Sequence, residues 1–180
     1  MNRGEQIAAF YQKVEQRMAN IPELLNPSLH VDVMEGPCFT DDVHGPLQLY
    51  LVITPWFMNL MLLADDTVEQ GAKTEQTWQA LMSEKVTIDL PSGTYEWVIG
   101  GGEGLSAFVS CSLFSPMNAF ESQQAAVAIG ESIIEQIFES PKAQPNAPTS
   151  TSEVNSPSGL TRRGFLRKAL LAENLTRASS

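Results

Sequence analysis

Two cysteines, Cys38 and Cys111, and two histidines, His30 and His44, are the side chains best suited to metal or nucleophilic chemistry. A zinc site takes about four ligands, usually clamped by CxxC or HxxxH spacing. None of these residues stands at such a spacing, so the expectation is no metal: Cys111 packs in an apolar strand and the histidines lie near turns. Ser110-Cys111-Ser112 follows no nucleophile-elbow pattern and has no histidine near it in sequence, although spatial proximity stays open. Gly100-Gly101-Gly102-Glu103-Gly104 looks like a phosphate cradle, but such a loop precedes a helix, whereas β-like residues follow here. A flexible hairpin turn is the better reading. The acidic pairs Asp41-Asp42 and Asp65-Asp66 sit in polar, turn-like stretches with nothing to raise a carboxyl pKa, and are expected to be solvated.

The C-terminal end is more specific. Thr161-Arg162-Arg163-Gly164-Phe165-Leu166-Arg167-Lys168 resembles the twin-arginine export motif. It lies at the wrong end for export, and the apolar run after it, 169–172, stops at Glu173. Two readings stand. One is a basic amphipathic segment that touches anionic lipid or solubilises the end. The other is a tail whose Arg162, Arg163, Phe165 and Leu166 imitate a ligand of the body.

Charge supports a division of the chain. Of 180 residues, 11 are Lys or Arg and 21 Asp or Glu, net −10. Residues 1–159 carry six basic and twenty acidic side chains, net −14, while residues 160–180 carry five basic and one acidic, net +4. Nucleic-acid binding relies on Lys and Arg displacing counterions, so the acidic body argues against it. The cysteine usage suggests a reducing, cytoplasmic setting, and the N-terminus shows no secretory signal.

Positioning elements follow from periodicity. Ile7, Phe10, Tyr11, Val14 and Met18 recur at helical steps behind an Asn2/Glu5 capping box, giving a helix that ends before Pro22. Leu29, Val31 and Val33 alternate with polar residues, and Gly36-Pro37 and His44-Gly45-Pro46 interrupt what should be short strands. The apolar run 47–64 has Pro55 and Asn59 at its centre, so it reads as two buried strands and not a membrane span. Residues 65–83 suggest a helix with Trp78, Leu81 and Met82 in one apolar patch. Runs 85–90, 95–100 and 105–114 form an antiparallel meander. Asn118-Ala119-Phe120-Glu121 reads as a second capping box, ahead of a stripe from Ala126 to Phe138. The class is α+β, a mostly antiparallel sheet packed by N- and C-terminal helices. The domains are a body over 1–139, a disordered Pro- and Ser-rich linker over 140–159 and a basic tail over 160–180.

Three stretches, 52–58 (VITPWFM), 90–94 (LPSGT) and 110–116 (SCSLFSP), together resemble the NiFe-hydrogenase assembly chaperone family named for HybE and HupJ. The resemblance covers about residues 5–139. It implies a non-enzymatic, cytoplasmic maturation factor without a cofactor. Its partner would be the small-subunit precursor of an exported NiFe hydrogenase, which carries a twin-arginine signal peptide, and the large-subunit precursor a second one. The motif positions Thr54, Pro55, Trp56, Phe57, Met58, Pro91, Gly93, Ser115 and Pro116 are the candidate partner-binding residues, with an exposed Trp56–Met58 segment accepting the apolar Phe-Leu part of the peptide. A scaffold joining the two subunits is the alternative, and an enzyme or electron carrier built on Cys111 the third.

Overall fold

The computed structural model describes residues 2–139; the expected linker, and the tail with Arg162, Arg163, Phe165 and Leu166, lie outside the described residues. Helix α1 (Arg3–Met18) opens on the capping box. The Asn2 side chain accepts from the Glu5 amide and the Glu5 carboxylate from the Asn2 amide, both at 2.8 Å. Two otherwise orphaned donors are thereby satisfied. Arg3 then ties the helix start to the sheet, donating to the Ala64 carbonyl at 2.8 Å and pairing with Asp66.

Six antiparallel strands follow: β1 (Asp32–Asp41), β2 (Gly45–Ile53), β3 (Met58–Ala64), β4 (Lys85–Leu90), β5 (Gly93–Gly102) and β6 (Leu105–Phe114), in spatial order β1-β2-β3-β6-β5-β4. Helix α2 (Glu69–Ala80) lies between β3 and β4, and α3 (Gln123–Phe138) closes the described chain. The two strands expected around Pro55 are β2 and β3, paired from Leu47↔Ala64 to Ile53↔Met58.

Four expectations are corrected. Gly36-Pro37 does not end a strand: β1 runs through it, with the register shifting between Glu35 and Cys38. An edge strand tolerates a proline at a bulge because no ladder donor is lost inward. Trp78 is buried, but α2 stops at Ala80 and leaves Leu81 and Met82 more than 40% exposed, so the predicted patch is split. The cap of α3 is Ser122, whose hydroxyl accepts from the Ala125 amide at 3.2 Å, one turn later than Asn118. The intervening Phe120 is drawn into the core against Phe114. Gly100, Gly101 and Gly102 are strand residues, where a Cβ would meet Phe108, Met82 and Phe10; the hairpin turn itself is Glu103-Gly104, with Gly104 at φ +82°.

Alternation divides the strands between two cores. One side buries Leu49, Leu51, Leu60, Leu62, Trp97 and Val109 under Trp78 of α2 and Ile133 and Ile137 of α3. The other buries Tyr50, Val52, Met61 and Phe108 beneath Ile7 and Tyr11 of α1. α3 reaches both sheet edges: Phe138 meets Phe39 of β1 with ring centroids 5.6 Å apart, and the Ile137 carbonyl accepts from the Ser92 amide (3.1 Å) and hydroxyl (2.8 Å) beside β4. Six flat strands would span about 24 Å. The sheet is therefore curled around the larger core, and α3 bridges the gap between its edges.

Candidate functional site

The register brings the three motif stretches to one end of the sheet. Ile53 ends β2, Met58 opens β3 and pairs with Phe114 at the end of β6, and the Leu90↔Gly93 pair closes the β4–β5 hairpin. Residues 54–57, 115–116 and 91–92 are the connections that leave the sheet there, with Gly93 opening β5.

The first connection is shaped by Thr54. Its amide donates to the Phe57 carbonyl at 2.8 Å, its hydroxyl donates to the same carbonyl at 3.0 Å, and that hydroxyl accepts from the Phe57 amide at 2.9 Å and the Trp56 amide at 3.3 Å. A threonine hydroxyl mimics a backbone turn in this way. Thr54 and Met58 are fully buried and Pro55 is buried too, whereas Trp56 and Phe57 are half-buried. The expected exposed segment is thus corrected at Met58, whose side chain enters the larger core because β3 begins there.

Trp56 and Phe57 continue an aromatic series from α1. Phe10 meets Tyr11 at 5.0 Å, Tyr11 meets Phe57 at 5.3 Å and Phe57 meets Trp56 at 5.5 Å, all edge to face, the geometry that ring quadrupoles favour. Burial pushes the Tyr11 hydroxyl up to about 12, so this ring is neutral at physiological pH and acts as packing. Ser115 donates to the Trp56 carbonyl at 3.4 Å and is joined to Pro116 by a cis peptide; both residues are exposed. Pro91 and Gly93 are exposed as well, with Ser92 between them bonded to the Tyr95 hydroxyl at 2.8 Å.

Asn26 was not foreseen. It is 7% exposed; its amide donates to the Pro55 carbonyl at 2.8 Å, and its carboxamide donates to the carbonyls of Met117 (3.0 Å) and Phe120 (2.7 Å). The only signal in the sequence is an asparagine before Pro27, which reads as a turn residue.

The other candidates are dispersed. Cys38 is exposed on β1 and Cys111 half-buried on β6, with two strands between them in the sheet order. Among the described residues, no group of three or more His, Cys, Asp or Glu is placed to hold a metal ion. His44 lies in the β1–β2 turn with Nδ1 2.7 Å from Asp41. Asp41 is not solvated, with 9% side-chain exposure. Burial works against its charge, but the amides of His44 and Val43 and the His44 ring outweigh this and hold its carboxyl below the ordinary value. Asp65 is held low by the Thr67 hydroxyl and amide. Among the described residues, no helix is long and apolar enough to cross a membrane.

A family model described as "[NiFe]-hydrogenase assembly, chaperone, HybE" matches residues 2–168. The chain is similar to the hydrogenase expression/formation protein HupT of Azotobacter chroococcum mcd 1, 34% identical over 170 residues, 94% of this chain and 97% of that one. It is also similar to the hydrogenase-2 operon protein HybE of Escherichia coli (strain K12), 26% identical over 144 residues, 79% of this chain and 81% of that one. The solution structure of HybE from Escherichia coli superposes with a TM-score of 0.54 at 22% identity, over 88% of this chain and 92% of that chain.

Proposed function

The chain belongs to the HybE family of [NiFe]-hydrogenase assembly chaperones, and from that premise we propose that it holds the small-subunit precursor of an exported hydrogenase, in the cytoplasm, by its twin-arginine signal region until maturation is complete. It turns over no substrate in this reading; its work is binding. The large-subunit precursor is the second partner, met when the small subunit is handed on.

The observation that carries the site assignment is the gathering of Trp56, Phe57, Pro91, Gly93, Ser115 and Pro116 at one end of the sheet, all half-buried or exposed. Aromatic rings fixed edge to face lose little conformational entropy on binding and offer a large contact area, which suits the Phe-Leu part of a signal peptide. Thr54 and Asn26 hold the backbone of this end rigid, so that little ordering cost falls on association. The net charge of −14 over residues 1–159 favours the approach of a dicationic peptide.

Calorimetric titration of the full chain with the small-subunit precursor, with and without its signal peptide, tests the reading. Binding only with the signal present is expected. Equal binding without it overturns signal recognition and makes the protein a scaffold for the folded subunits.

A further inference from the structure

The larger core is not closed along its whole rim. At the motif end of the sheet, Leu113 and Phe114 on β6 and Tyr95 on β5 pack against it but stay half-buried. The last turn of α3 stands beside them: the Ser92 hydroxyl bonds both the Ile137 carbonyl and the Tyr95 hydroxyl at 2.8 Å, and Tyr95 lies within electrostatic reach of Cys111.

The outward side of the same helix carries Glu131, Glu135 and Glu139, all exposed and spaced by four residues. Like charges at this spacing repel, and carboxylates at a helix C-terminus oppose its dipole. α3 has no basic residue in its last turn, and no ion pair among the described residues involves these glutamates. The apolar rim and this line of negative charge are linked through Ser92, which bonds Ile137 of the helix and Tyr95 of the rim.

The sequence supplies a matching segment. Thr161-Arg162-Arg163-Gly164-Phe165-Leu166-Arg167-Lys168 combines paired cations with an apolar pair, and only residues 139–160 separate it from the end of α3. For a chain of that length the root-mean-square end-to-end distance is about 25 Å, the scale of the six-stranded sheet itself.

We propose that segment 160–168 docks on its own body here, Phe165 and Leu166 against the rim at Leu113 and Phe114, and Arg162 and Arg163 against Glu135 and Glu139. The segment occupies ground contiguous with the partner site, and so acts as a tethered competitor; this consequence rests on the signal-peptide reading above. A tether gives an effective concentration of about 1 mM, so an intrinsic Kd of about 10 μM produces about 100-fold competition.

The test compares the full wild-type chain with Arg162→Ala/Arg163→Ala and with Phe165→Ala/Leu166→Ala. In hydrogen exchange, the stretches 93–98 and 110–115 should exchange about tenfold faster in both variants, with the thermal midpoint lowered by a few degrees, because a segment docked about 100-fold on the folded body also stabilises it. A synthetic peptide of sequence 160–168 should bind both variants about 100-fold more tightly than it binds wild type. Identical exchange in all three chains overturns the docking. Protection that rises with protein concentration overturns docking within one chain in favour of exchange between copies. If the exchange difference appears but the small-subunit signal peptide binds no form of the chain, the docking stands and the signal-peptide reading fails.

Discussion

The Asn26 carboxamide donates to the Phe120 carbonyl at 2.7 Å, across 94 residues of sequence. The same side chain donates to the Met117 carbonyl, while the Asn26 amide donates to that of Pro55. One asparagine thus fixes the β2–β3 turn against the connection from β6 to α3, the two segments that flank the candidate site.

Asn26→Ala is therefore expected to cost more than its exposed-looking sequence context suggests. The buried Phe120 carbonyl loses its donor, at about 1–3 kcal/mol before relaxation or water entry, and the Met117 carbonyl, which keeps the Phe120 amide, loses a second hydrogen bond worth about 1 kcal/mol. A loss of about 2–4 kcal/mol in urea unfolding, without change in the slope, is the expected result. A loss below about 1 kcal/mol would show that the two turns are held by packing alone.

Asp41 makes stability depend on acid. Its folded-state pKa lies below the ordinary value of 3.8 because the His44 and Val43 amides and the His44 ring outweigh burial. A depressed carboxyl stabilises the fold above the unfolded value, and that contribution disappears as the pH falls through the folded one. Asp41→Asn should accordingly flatten the stability profile below about pH 4, read as urea midpoints between neutral pH and pH 3. A profile parallel to wild type would remove the assignment.

Gly130 sets how closely α3 approaches the sheet. A Cβ there would press on Leu51, which is fully buried on β2. Gly130→Ala gains up to about 1 kcal/mol of helix propensity but overpacks a closed core, at about 1–3 kcal/mol. The second effect should win because Leu51 has no solvent to move into. A net loss of about 1 kcal/mol in thermal or urea unfolding is expected, and a gain would mean that α3 can slide outward.

Local signals made much of this fold legible. The Asn2/Glu5 box, the break at Pro55 and the strand runs 85–90 and 105–114 are each specified by residues within a few positions of one another. The insertion of β6 between β3 and β5, the curl that brings Phe39 and Ser92 to one helix turn, and the grip of Asn26 all depend on partners far along the chain. Periodicity also could not separate Met58, which opens a strand into the core, from its neighbours Trp56 and Phe57, which half face solvent. The three motifs could be read in order from the sequence, but their gathering at one end of the sheet depends on strand register, and which side chains look outward is decided by the turn that Thr54 builds.

That distinction makes the contrast between Trp56 and Thr54 the sharpest probe of the site. Trp56 is half-buried at the end of the aromatic series, so Trp56→Ala removes contact area while leaving the ladder and the Thr54 hydrogen bonds in place. Truncating an aromatic anchor typically costs about 2 kcal/mol of binding, and this variant should weaken signal-peptide binding by at least tenfold, with little change in urea midpoint. Thr54→Val instead keeps every exposed side chain but deprives the Trp56 and Phe57 amides of their acceptor, so stability should fall by about 1–3 kcal/mol. Its binding loss should be smaller than that of Trp56→Ala once the unfolded fraction is accounted for. If the order is reversed, with Thr54→Val binding worse and Trp56→Ala binding as wild type, the peptide reads the backbone of this turn and not its rings.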